Sequence, residues 1–244
     1  MTKTFKILIL VWVILGIISS TLIVFCIFSI KKTDSETLDS GFEVEDISES
    51  EKENIGYNFS LISAPTANRT FVVFDVNENG MIALGHDLSN LEKRISVYDS
   101  DGNFKYGYSF ESYGSFGVEW DGDYLNVYMV RSNLLITLDH EANIIEIAKV
   151  PDTNENRNHI NNYIFATEKT IGDEKYTMRK KLGAFSIIAT SYTQLSKTSY
   201  GEEVIVYKAN QGYSVGTFLI PLAIVALFVV GISVILYPVV FRKH

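Results

Sequence analysis

The chain has 244 residues, with 29 acidic against 21 basic side chains and a formal charge of −8. Six of the Lys and Arg flank two uncharged apolar stretches, so residues 33–216 hold every acid and a net charge of −14. A segment this acidic has nothing to offer a phosphate backbone, which excludes nucleic acid as a partner, and the length allows one folded domain beside membrane segments.

Residues 1–6 carry Lys3 and Lys6 and read as a short cytoplasmic N-terminus. Residues 7–30 contain no charged side chain. As a helix they reach roughly 36 Å, enough to cross a hydrocarbon core of about 30 Å, and they read as a first transmembrane helix. The apolar run is too long for a signal peptide, and no A-x-A site follows it. Cys26, the only cysteine, lies inside this stretch behind the bulky Phe25, which argues against lipoprotein processing and leaves the rest of the chain without a disulfide. Residues 31–56 form an acidic stretch with nine carboxylates from Asp34 to Glu53 and, after Lys31 and Lys32, only Lys52 to offset them. Such a composition cannot offset its ordering entropy by burial, so it reads as a solvated stalk with at most a partial helix.

Residues 57–210 change character. Short β-branched and aromatic runs alternate with Asx-Gly turns: 71–76 and 81–84 around Asn77-Glu78-Asn79-Gly80, 94–99 and 103–110 around Ser100-Asp101-Gly102, 117–120 and 124–130 around Asp121-Gly122-Asp123. A fourth pair, 134–138 and 144–150, flanks His140-Glu141-Ala142-Asn143. These are hairpin signals, because Gly and Asn accept a positive φ, and they predict an antiparallel all-β domain. Val97-Tyr98-Asp99 with Asn103 recurs as Thr137-Leu138-Asp139 with Asn143, and 71–84 matches 116–129 more loosely. Each unit is then a four-stranded meander of the size of a propeller blade, with a third, divergent unit over 175–182, 185–194 and 204–208. Three blades do not close an ordinary propeller. The expectation is an open stack or sandwich within one chain, with an inter-chain ring as the alternative.

A linker at 211–216 leads to 217–241, uncharged and again long enough to span. Arg242 and Lys243 follow in the tail 242–244, whereas the nearest basic residue before the span is Lys208. The Lys/Arg bias puts the C-terminus in the cytoplasm, and two crossings bring the N-terminus to the same side. The β-domain is then extracellular and the protein a multi-pass component of the plasma membrane, with the lipid bilayer as its first partner.

Phe104, Tyr106, Tyr108 and Phe110 occupy alternate positions and share one face of a strand, with Tyr113, Trp120, Tyr124 and Tyr128 following. A row of rings serves a core better than a surface, since each buried ring removes about 150–250 Å² from water. Tyr113 and Trp120 flank turns and are the members expected to be exposed, which makes them the candidate binding residues for an envelope protein, a peptide or a glycan. Asp99-Ser100-Asp101-Gly102-Asn103 resembles the opening of a calcium loop, but Phe110 stands where the twelfth-position carboxylate belongs, so it reads as a hairpin turn. His86, His140 and His159 read as loop residues. No HExxH, GxSxG, P-loop or CxxC occurs, so no enzyme, cofactor or metal site is expected. Asn58-Phe59-Ser60 and Asn68-Arg69-Thr70 match the N-glycosylation sequon, which a bacterial chain leaves silent.

The stretches Arg94–Asp99, Phe116–Asp121, Val130-Arg131-Ser132 and Ser191–Leu195 together resemble a family of two-pass membrane proteins with blade-like β repeats from Gram-positive anaerobic bacteria. That resemblance implies a bacterial envelope location and no particular activity. A membrane-anchored binding module is therefore the leading expectation. The alternatives are an accessory subunit packed through Gly16, Ser19, Ser20, Gly231 and Ser233, and, least favoured, a surface enzyme.

Overall fold

A computed structural model describes residues 41–66, 69–89, 91–181 and 190–209. The chain divides into two compact units, Met1–Leu38 and Asp39–His244, and every described residue belongs to the second. Both predicted spans, the linker 211–216 and the two terminal segments lie outside the described residues. Among the described residues no helix is long and apolar enough to cross a membrane.

The described chain opens with strand β1 (Glu45–Asp46), a one-and-a-half-turn helix α1 (Glu49–Asn54) and strand β2 (Ser60–Ile62). Helix α1 starts at Ser48, whose N–H and hydroxyl both donate to the Glu51 carboxylate, at 3.0 and 2.8 Å. A first meander follows: β3 (Val73–Val76), β4 (Ile82–Asp87), β5 (Glu92–Tyr98) and β6 (Phe104–Glu111). A second holds β7 (Phe116–Asp121), β8 (Tyr124–Met129), β9 (Leu134–Leu138) and β10 (Ile144–Lys149). Helix α2 (Asn154–His159) then runs into a π-helical turn (Ile160–Ile164). The third meander is β11 (Glu168–Ile171), β12 (Glu174–Arg179), β13 (Gln194–Ser199) and β14 (Glu202–Lys208).

All pairings are antiparallel. Sheet I has the order β2-β6-β5-β4-β3, sheet II β1-β10-β9-β8-β7 and sheet III β11-β12-β13-β14. The all-β antiparallel expectation thus holds. The acidic stretch is where the structure differs from the sequence reading. From residue 41 on it is part of the domain, supplying β1 as the outer strand of sheet II. Phe42 packs on Tyr128 with ring centroids 5.0 Å apart, and the Glu43 N–H and C=O both bond the Asn156 side chain at 2.9 Å. Backbone pairing along β10 and the contacts of the Phe42 ring with Tyr128 and His159 outweigh the repulsion that composition alone suggests.

One five-residue turn is used three times. Asn77, Asp99 and Asp139 each turn a side-chain oxygen back to accept the N–H groups two and four residues on, at 2.8–3.1 Å. Residue four has positive φ in each: Gly80 at 76°, Gly102 at 83° and Ala142 at 69°. The bonds from Asn103 and Asn143 hold the Asp99 and Asp139 carboxyls below their ordinary range.

Sheet I lies in the middle of the stack. Val73, Ala83, Ile95, Val97, Tyr108 and Phe110 on one face pack with Phe116, Val118, Leu125, Val127, Ile136 and Leu138 of sheet II. Phe74, Val76, Ile82, Leu84 and Tyr98 on the other pack with Tyr176, Met178 and Leu195 of sheet III. The aromatic row of β6 is split between these cores. A bulge sets Tyr98 opposite Phe104 but Val97 opposite Tyr106, which turns Phe104 to the sheet III side while Tyr106, Tyr108 and Phe110 keep the sheet II side.

The outer face of sheet II is covered where the π-helical turn crosses β7. A methyl group added at Gly117 falls 2.2 Å from the Ile164 Cγ2, and Ile164 is fully buried. Gly117→Ala is therefore expected to cost about 1–3 kcal/mol by overpacking. Its denaturation midpoint checks this: an unchanged midpoint shows that the turn gives way freely.

Candidate functional site

Of the nine connections within the meanders, six (β3–β4, β5–β6, β7–β8, β9–β10, β11–β12 and β13–β14) lie at one end of the stack, the crown, and the other three at the opposite end. The chain enters and leaves at the other end, the base. Glu45 sits opposite Lys149 at the finish of β10, and β14 finishes with Lys208 opposite Gln194 at the start of β13.

The edge strands β3, β7 and β11 meet near the crown around one carboxylate. Asp75 of β3 is fully buried. Its Oδ2 accepts the Trp120 backbone N–H of β7 at 2.6 Å. Its Oδ1 accepts the Lys169 ammonium of β11 at 2.8 Å and the Tyr163 hydroxyl of the π-helical turn at 3.3 Å. Lys169 is as buried as Asp75, and its ammonium also lies 4.0 Å from the Tyr163 ring centroid. Burial pushes the Tyr163 hydroxyl pKa up, with the Asp75 and Glu119 carboxylates adding to it, so the phenol stays protonated and donates. One acid thus joins three sheet edges, and it gives the Trp120 N–H on the unpaired edge of β7 its partner.

Beside this junction a cleft of about 420 Å³ opens at the crown, lined among others by Asn77, Glu78, Trp120, Asp123, Tyr163 and Ile171. It combines two aromatic rings with the exposed carboxylates Glu78 and Asp123, while the Asp75 charge below is neutralised by Lys169. Trp120 is half-buried, and its indole N–H is buried with no hydrogen-bond partner. Large exposed hydrophobic side chains gather at the same end. Of nine among the described residues, Tyr124, Ile144, Ile145, Tyr200, Val204 and Ile205 are on crown turns or the strand halves next to them.

Tyr113, the other candidate, is 71% exposed but belongs to the base. It lines a groove of about 790 Å³ with Ile55, Tyr57, Leu91, Arg131 and Leu134. Tyr113 and Trp120 flank opposite ends of β7, roughly 20 Å apart at the rise of a strand. The sequence pattern that grouped them does not bring them together.

Two histidines are not in loops. His86 lies in β4 and His159 ends α2, and both are buried; burial forbids the hydration that a loop reading assumes. His159 stacks on Tyr163, with its Nε2 3.0 Å from Glu119 Oε1 but out of line for a hydrogen bond. His140 is exposed in the β9–β10 turn. No group of three His, Cys, Asp or Glu among the described residues is arranged to hold a metal ion. Asp75, Tyr163 and Lys169 escaped the sequence reading. Asp75 did leave a signal: a lone carboxylate inside Phe71–Val76 must find a partner if that run is buried.

No protein-family model, curated protein or solved structure matches the chain.

Proposed function

We propose that the chain is a membrane-anchored interaction module of a bacterial cell envelope, whose crown binds an exposed segment of another envelope protein. The observation that carries this reading is the polarity of the domain. Both ends of the described chain leave from the base, and the opposite end carries the aromatic cleft and most of the exposed apolar side chains. With spans at 7–30 and 217–241 and both termini cytoplasmic, the tethers attach at the base and leave the crown free for a partner outside the membrane. Ile144, Ile145, Val204 and Ile205 are aliphatic, and exposed aliphatic groups suit a protein surface better than a sugar. Glu78 and Asp123 at the cleft favour a basic side chain of the partner over an acidic one. The resemblance to Gram-positive envelope proteins agrees with this setting.

A photo-crosslinking residue at Tyr124 in intact cells tests the proposal. It is expected to trap one discrete partner, and Trp120→Ala is expected to cut the adduct by about tenfold, as loss of a buried aromatic anchor does. No adduct at Tyr124, or an adduct indifferent to both Trp120→Ala and charge reversal at Glu78 and Asp123, contradicts it.

A further inference from the structure

The corrected place of the acidic stretch shortens the segment that connects the base to the first apolar stretch. Were residues 33–56 a free stalk, more than twenty residues would separate the first apolar stretch from the domain. With Phe42, Glu43 and β1 fixed on sheet II, only residues 31–40 remain on that side and 210–216 on the other. Seven residues reach at most about 25 Å when fully extended. Among the described residues, Tyr113, 71% exposed, and Val44, 45% exposed, are large apolar side chains left uncovered at the base. The Arg131 guanidinium lies against Tyr113, its Nη1 3.5 Å from the Tyr113 carbonyl oxygen.

We infer that the base rests on the outer headgroup layer of the bilayer, with the Tyr113 ring seated at the interface and the Arg131 guanidinium on a lipid phosphate. The inference rests on the two spans of the proposed function. Tyr is enriched at the membrane–water interface because its ring is apolar and its hydroxyl wet, and Arg lays its stem along apolar surface while its head stays in the polar layer. Glu43, Glu111 and Asp152 lie at the same end as Arg131 and Arg157, and Asp152 pairs with Arg157 at 2.6 Å. The contact therefore belongs to the ring, and the fraction of anionic lipid makes little difference to it. Tyr113 then orients the domain so that the crown cleft faces outward, whereas a domain swinging on two tethers presents it in every direction.

The full chain in lipid nanodiscs, on a Cys26→Ser background, provides the test. A fluorophore is placed at Ser115→Cys, beside an intact Tyr113, or at Tyr200→Cys on the crown, and lipids spin-labelled at the headgroup act as quencher. Quenching is expected to be about fivefold stronger at Ser115→Cys than at Tyr200→Cys, the same with neutral and anionic lipid, and lost in Tyr113→Asp, which interfacial burial of the ring requires. Equal, weak quenching at both sites in chains that remain in the disc overturns the docking and leaves the spans standing. Weak quenching at Ser115→Cys together with a protein adduct there in cells overturns it in favour of a protein partner. Chains that do not enter the discs at all overturn both the docking and the spans.

Discussion

Asp75→Ala is expected to lose about 3–5 kcal/mol of stability, the largest effect of any single side chain outside the apolar cores. The substitution removes the acceptor for three donors at once and leaves the Lys169 ammonium, 2% exposed, without a counter-charge. Desolvation of that ammonium dominates, because a buried charge costs several kcal/mol whereas one neutral hydrogen bond contributes about 1. In a domain of this size the loss lowers the Tm by about 10 °C or more. Thermal unfolding of the full chain in detergent, followed by near-ultraviolet circular dichroism, measures it. The double variant Asp75→Leu with Lys169→Met removes both charges and is expected to recover most of the loss. A single variant within about 1 kcal/mol of the parent would show that the pair is dispensable.

Acid is expected to loosen the interface between sheets I and III through His86. The Nδ1–H of this fully buried ring donates to the Thr70 carbonyl at 3.1 Å, while Nε2 is buried with no partner. Tyr207 of β14 packs on the ring at 6.0 Å, and Arg94 of β5 is the nearby charge. Burial, opposed by the Thr70 bond and helped by Arg94, lowers the His86 pKa from 6.5 to about 4. The unfolded chain therefore takes up its proton near pH 6.5 and the native state only near pH 4, so the unfolded state holds more protons in between. Stability contributed by neutral His86 is complete above about pH 7 and falls by roughly 3 kcal/mol as the pH drops to 4. Urea unfolding at several pH values reads this out, and His86→Met is expected to flatten the curve in that window. An unchanged slope in His86→Met assigns the acid sensitivity to other groups.

The hairpins were legible because their turns are local: Asn77, Asp99 and Asp139 brace the next four residues, and a residue of positive φ closes each turn. The pairing of β1 and β2 was not, since two or three residues such as Glu45-Asp46 carry no periodicity and are ordered by the strand that receives them. The first half of the predicted strand 185–194 lies outside the described residues; the described strand β13, Gln-Leu-Ser-Lys-Thr-Ser, escaped the pattern because its neighbours β12 and β14 supply the burial its own composition lacks. Phe104 shows how far a period-two argument reaches, namely to the first bulge. Of the candidate site, Trp120 was found through the turn beside it. Its junction with Asp75, Lys169 and Tyr163 joins residues 45 to 94 apart, a convergence that no local pattern encodes. The separation of Tyr113 from Trp120 follows from the same cause, since strand direction, not closeness in sequence, sets the end at which each residue lies.

The reading of a domain held outside the membrane with its crown outward is tested most directly by labelling Tyr200→Cys, 90% exposed at the β13–β14 turn, on a Cys26→Ser background with a membrane-impermeant maleimide. Full labelling in intact cells, before lysis, is the result this account predicts. Labelling that occurs only after lysis would place the domain in the cytoplasm and contradict it.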